Sequence, residues 1–228
     1  MQILPHPQPL NTRSTGMTEN TFSPRHGVSE HVQRRATELM RGYHGTGSAS
    51  NESAARAELA ALRASLTGPV GRDPLAYRAM FDGIDERLIG HGHEPSRAEF
   101  AIATSLGLFG LHQQGGREFS AHQPGIPLGA ALRRLARPDD AADREKPTMR
   151  RFSALVTSTT NEELVRHITG LIRQFRSAEI GLDYGRLAAD LYDFASPATR
   201  DRARLRWSRD AIARASRPAD IATETSHA

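Results

Sequence analysis

Ser96 is followed three residues later by Glu99, and Thr160 three residues later by Glu163, while Asp73 and Ser196 each stand directly before a proline. Each arrangement marks a helix start. A Ser or Thr side chain can accept the free N–H three residues on while the Glu reaches back, and a proline at the first helical position gives up an N–H that has no partner there anyway. Behind these starts the apolar residues recur at helical spacing. Leu164, Ile168, Leu171, Ile172 and Phe175 make one stripe of "TTNEELVRHITGLIRQFRS"; Ala55, Leu59, Leu62 and Leu66 make another in "ESAARAELAALRASL". Further helices are expected from Val28 to about Met40, and in "GRDPLAYRAMFDGIDERL", "PSRAEFAIATSLGLFGLHQQ", "IPLGAALRRLARP", "TMRRFSALVTS" and "LDYGRLAADLYDFA". The helix of "PSRAEFAIATSLGLFGLHQQ" is expected to carry Phe100, Ala103, Leu106 or Gly107, and Gly110 along one apolar side. No segment alternates as a half-buried strand does. The expected fold is all-α: two small helical bundles joined by a short acidic linker.

Composition divides the chain further. Pro5, Pro7, Pro9 and Pro24 among polar residues predict a disordered lead-in over residues 1–27. A helical unit over 28–138 and a helical bundle over 146–214 are expected, joined by the exposed "DDAADREK", with a frayed tail over 215–228. The absence of cysteine removes disulfide, thiolate-metal and cysteine-nucleophile chemistry and suits a reducing cytoplasm. No apolar run is long enough to span a bilayer, and the first residues lack the pattern of a secretory signal.

Motifs for chemistry are few. The sole lysine, Lys146, stands in "REKPT" and not in a phosphate-binding loop, and neither a zincin helix nor a nucleophile elbow is present. His91, His93 and Glu94 in "GHGHE" are close enough to consider as metal ligands, but a Gly-rich turn with no fourth donor reads better as surface. His112 is expected to cap the last carbonyls of its helix. Asp139, Asp140 and Asp143 are expected to solvate the linker. No catalytic residue, metal or cofactor is expected.

What stands out is arginine. Net charge is +4 with a pI of about 10.1, nearly all of the positive charge being guanidinium. Arginine's planar fork grips phosphate through paired hydrogen bonds. Arg56 and Arg63 lie seven apart on one stripe; Arg166, Arg173 and Arg176 form a cationic ridge opposite an apolar one; "RARLRWSRDAIAR" sets Arg202, Arg204, Arg206 and Arg209 around the only tryptophan, Trp207. In that last helix Trp207 projects about 200° from Leu205, which shares a face with Ile212. The tryptophan is therefore either packed on a neighbouring helix or an exposed platform.

The ordered set "AARAELAALRASL", "DPLAYRAMF", "EFAIATSLGLFGLHQ", "PLGAALRRLA", "RRFSALV", "ELVRHITGLIRQFR", "LDYGRLAADLYDF" and "RLRWSRD", from about residue 53 to 213, resembles the CasB family. CasB is the small helical subunit of the type I-E CRISPR surveillance complex, Cascade. The resemblance implies a scaffold and not a catalyst. Two copies would lie beside the backbone subunits that carry the guide RNA and help hold the guide–target hybrid and the displaced DNA strand. It also implies that Arg56, Arg63, Arg133, Arg150, Arg151, Arg173, Arg204, Arg206 and Arg209 touch nucleic acid. Arg166 and Arg176 join them from the helical-face argument alone. Two other readings stay open: a helical regulator reading a specific DNA sequence, for which Gln113, Gln114 and Gln174 offer base-edge groups, and a protein-interaction module whose arginines are merely solvated.

Overall fold

The computed structural model describes residues 22–46, 51–116, 118–136 and 141–213, with 141–146 described by backbone only. Its helices are α1 (Pro24–Tyr43), α2 (Glu52–Ser65), α3 (Pro74–Phe81), α4 (Arg97–His112), α5 (Leu128–Leu135), α6 (Ala141–Thr157), α7 (Asn161–Ser177), α8 (Tyr184–Phe194) and α9 (Pro197–Ile212), with a 3-10 turn at Glu86–Leu88. No strand occurs among the described residues, only an isolated parallel bridge between His122 and Leu182. The all-α expectation holds.

The start signals act as their chemistry demands. Asp73 accepts from the N–H groups of Leu75 and Ala76 ahead of Pro74, and Ser96 and Glu99 close a reciprocal capping box. Thr160 accepts the Glu163 N–H, but the Glu163 carboxylate takes the Thr159 N–H at 2.8 Å, one residue beyond a strict box. Ser196 makes no side-chain cap, leaving Pro197 to start α9.

At the centre lies α4, buried on every side along 101–112. Its apolar residues therefore do not define one side as expected; Leu106, Leu108 and Phe109 are all fully buried. Gly107 and Gly110 let α2 approach closely, since a Cβ at Gly110 would stand 2.7 Å from the Leu59 carbonyl oxygen. On another side α4 meets α8, which also packs on α1, where Gly185 lies against Ser29 and Gln33. Buried side chains from both expected units, among them Val32, Leu62, Ile172 and Leu191, belong to one contiguous core.

Helices α5, α6, α7 and α9 cover the remaining side: α6 packs on α7, and α9 on α5 and α8. At Gly129 there is room for α9 to press its backbone at Asp210 and Ala211 directly onto α5. The chain between α4 and α5 is stitched to the entry of α8, with Leu182 N–H donating to Ala121 at 2.9 Å and Gln123 N–H to Leu182 at 3.0 Å.

Boundaries shift at three places, one of them in "GRDPLAYRAMFDGIDERL", where α3 stops at Phe81 ahead of Gly83 at φ 64° and only a 3-10 turn follows. Helix α1 begins at Pro24, not Val28, because proline suits the first helical turn. Helix α6 begins at Ala141, so residues 141–146, expected as an exposed acidic connection, are helical and run on through Pro147. The expectations for residues 1–21, for Asp139, Asp140 and the helix stop at Pro138, and for the tail over 215–228 lie outside the described residues.

Candidate nucleic-acid interface

The arginines of α9 divide by direction. Trp207 is fully buried, stacked on Phe194 with ring centroids 6.0 Å apart, and its Nε1–H donates to Asp190 Oδ2 at 2.9 Å. Leu205 and Ile212, on the opposite face, are 49% and 82% exposed. Between these faces Arg206 turns inward. Its Nε donates to Asp190 at 2.8 Å and its Nη2 pairs with Asp193, which also receives Arg25 Nε from α1 at 2.8 Å. Burial pushes the Asp190 carboxyl up from its ordinary value, against the pull of Arg206, the indole N–H and Arg25. Two further arginines of this helix hold backbone: Arg200 donates to the Thr159 carbonyl at 2.8 Å, and Arg204 to the Ser158 carbonyl and to Asp201. Arg200 and Arg204 both lie over the Phe194 ring. Together they tie α9 to the turn between α6 and α7. Arg202 and Arg209 are exposed, with no ion-pair partner among the described residues.

Of the other candidates, Arg56 pairs with Glu52 one turn earlier and lies 6.0 Å over the Tyr43 ring. Arg176 donates to Gln114 Oε1 at 2.7 Å. Arg63, Arg133, Arg150, Arg151, Arg166 and Arg173 make no ion pair among the described residues, although Arg166 acts electrostatically on Glu163; Arg63 and Arg133 are half-buried, the rest exposed. Arg56 and Arg63 belong to α2, which packs on α1, α3 and α4. The remainder sit on the mutually packed α5, α6, α7 and α9. The structure thus leaves Arg133, Arg150, Arg151, Arg166, Arg173 and Arg209, on helices α5, α6, α7 and α9, without an ion pair among the described residues, and directs Arg204 and Arg206 largely into internal bonds.

The buried histidines take structural places. His112 does not cap its own helix: its Nδ1 meets the Tyr184 hydroxyl at 3.0 Å, and that hydroxyl donates to the Leu108 carbonyl. Burial lowers the His112 pKa to about 4, with backbone carbonyls of Ile180 and Phe175 opposing the drop. His122 Nδ1 accepts the Tyr184 N–H at 3.2 Å. His91, His93 and Glu94 are exposed in the turn before α4, and no three His, Asp or Glu side chains are grouped as a metal ion needs among the described residues. No described helix is long and apolar enough to cross a membrane.

A helical body with an indole-anchored last helix and exposed guanidinium groups without an ion pair among the described residues defines an arginine-rich, all-α protein. The chain belongs to the Cse2 family, also called CasB, of the type I-E CRISPR Cascade complex: residues 58–210 match the family model described as CRISPR-associated protein Cse2. Its fold is similar to the crystal structure of CasB from Thermobifida fusca, with a TM-score of 0.65 and 29% identity over 82% of this chain and 98% of that one. No curated protein matches the chain. Membership makes it a structural Cascade subunit in CRISPR defence that assembles with the other Cascade subunits.

Proposed function

We propose that this subunit is non-catalytic and grips the backbones of the guide RNA, the target strand and the displaced DNA strand without reading their sequence, thereby prolonging the R-loop. The observation that carries the reading is the set of arginines on neighbouring helices that make no ion pair among the described residues: Arg133, Arg150, Arg151, Arg166, Arg173 and Arg209. Guanidinium groups without internal partners are the ones available to phosphate. In RNA-guided recognition base pairing supplies the specificity and strand exchange is nearly balanced, so a few phosphate contacts tip it. The proposed partners within the cytoplasmic complex are the backbone subunits and a second copy of this chain.

A sequence-reading regulator is the weaker fit. Gln113 is buried with its amide bonded to Gly116, Phe119 and Ala121, and Gln114 receives Arg176. Both ends of the Gln113 amide are thus taken, and the Gln114 oxygen is taken by Arg176.

Two measurements test the reading. The tagged chain, expressed with its neighbouring Cascade subunits, is expected to co-purify with guide RNA; gel shifts of the full chain with guide-length RNA and single-stranded DNA of scrambled sequences are expected to give equal affinities. Failure of both shifts, or a strong preference for one palindromic duplex, would overturn it.

A further inference from the structure

The carbonyl end of α3 is held by side chains of α1. A helix leaves its last carbonyls without partners in its own backbone. In α3 the Phe81 carbonyl accepts the Ile84 N–H at 3.1 Å. Its neighbours are taken by α1: Arg35 Nε donates to the Ala79 carbonyl at 3.1 Å, His31 Nε2 meets the Met80 oxygen at 2.7 Å, and Arg34 Nη2 donates to the Asp82 and Gly83 carbonyls at 2.8 and 3.1 Å. His31, Arg34 and Arg35 are spaced three and four apart, so one face of α1 supplies all three. The same Arg34 nitrogen lies 3.1 Å from His31 Nδ1. These contacts fix the proton of the imidazole. A carbonyl only accepts and a guanidinium only donates, so Nε2 carries the hydrogen and Nδ1 the lone pair.

A second proton on this ring goes to Nδ1, where it meets the Arg34 N–H group and sets a third positive charge beside Arg34 and Arg35. The carboxylates nearby are engaged with other cations. Glu38 pairs with both arginines, Glu58 of α2 pairs with Arg35, and the Asp82 carboxylate stands 3.9 Å from Arg35. His31 borders a groove of about 610 Å³, on whose walls His26 pairs with Glu30 and Arg87 with Asp85. We propose that His31 is an acid-sensitive latch on α3: neutral, it fastens the helix end to α1, and protonated at Nδ1 it lets residues 79–85 part from α1 while the rest of the core stands. The latch is independent of the nucleic-acid reading above. Burial lowers the His31 pKa from its ordinary 6.5; the bond to Met80 works against the drop, Arg34 and Arg35 add to it, and Glu38 opposes it. A base whose pKa falls on folding contributes stability that is complete above its ordinary value and is lost as pH falls through the lowered one. The latch is therefore closed at neutral pH and opens only below about 6.5.

Hydrogen exchange of the full chain tests the latch, read by mass spectrometry on peptides covering 77–89 and corrected for the intrinsic effect of pH. A histidine that regains its ordinary pKa on opening shifts the opening equilibrium by about tenfold between pH 7.5 and pH 5. Exchange over 77–89 is expected to quicken by about that factor, and exchange over α7 to stay level. His31→Gln keeps a donor and an acceptor but has no proton to gain in this range, and is expected to abolish the rise. His26→Gln, on the same groove, is expected to keep it. Nitrogen NMR of the His31 ring in the unaltered chain needs no variant. It is expected to show the Nε2–H tautomer at pH 7.5 and a titration that accompanies the loosening of residues 79–85, with its midpoint below about 6.5. Level exchange over 77–89, an equal rise in α7, a rise that survives His31→Gln or is lost in His26→Gln, or a Nδ1–H tautomer at pH 7.5 would each overturn the latch.

Discussion

Arg206 and Arg209 are three residues apart and chemically identical, yet they have opposite tasks. Arg206 neutralises a carboxylate that is 3% exposed, at Asp190, and another that is 8% exposed, at Asp193. Removing one member of such a pair strands the other charge in the interior, at a cost of about 3 kcal/mol or more. Arg206→Ala is therefore expected to lower the urea midpoint sharply, and Trp207→Phe, which deletes one donor to Asp190, to cost about 1–3 kcal/mol. Arg209→Ala is expected to stay within about 0.5 kcal/mol of the parent, as a surface change does. Equal losses in all three would refute the division. The sequence alone could not make it, because the partners lie 16 and 13 residues upstream, and only the fold brings α8 alongside α9. The pattern Asp190, Asp193 at helical spacing was the available signal, and a carboxylate pair inside an apolar helix is what marks an inward arginine elsewhere.

Elements were legible in proportion to how amphipathic they are. The buried residues of α7 are Leu164, Ile168, Leu171, Ile172 and Phe175, the expected stripe, because one face meets the core and the other meets water. For α4 the same reasoning fails at the level of faces: a helix enclosed on all sides is apolar at nearly every position, so only its capping box was readable. Glycines in these two helices should respond oppositely. Gly110→Ala forces a methyl group against the backbone of α2 and is expected to destabilise by about 1–3 kcal/mol; Gly170→Ala, whose methyl group would meet the Arg151 side chain only at ordinary contact distance, is expected to stabilise by up to about 1 kcal/mol through helix propensity. Denaturant midpoints for the two variants, one down and one up, check this. The junction of α4 with α8 carries a pH signature as well. His112 titrates near 4 in the fold against an ordinary 6.5, so the native state holds it neutral. Its contribution is complete above pH 6.5 and is lost as pH falls toward 4, reaching about 2.5 kcal/mol by pH 4.5. His112→Phe is expected to remove that part of the difference in unfolding free energy between pH 7.5 and pH 4.5; an unchanged difference would contradict the burial argument.

At the scale of the molecule, the arginines divide into those with internal partners and those without one among the described residues. Helix α9 spends Arg200, Arg204 and Arg206 on fastening itself to α8 and to the α6–α7 turn, and so steadies the helices that carry the unpaired groups. Arg56 and Arg63 stand apart on α2. The proposed contact set is accordingly narrower than the sequence implied, confined to the arginines of α5, α6, α7 and α9 that lack an ion pair among the described residues. The most direct measurement is the dissociation rate of target DNA from reconstituted Cascade carrying this subunit as Arg173→Glu, beside Arg78→Glu and the unaltered chain. The expectation is faster loss of the R-loop for Arg173→Glu, with the gap to the unaltered chain closing as salt rises, and an unaltered rate for Arg78→Glu. Identical lifetimes for all three, at low salt, would contradict the claim that this set holds nucleic acid.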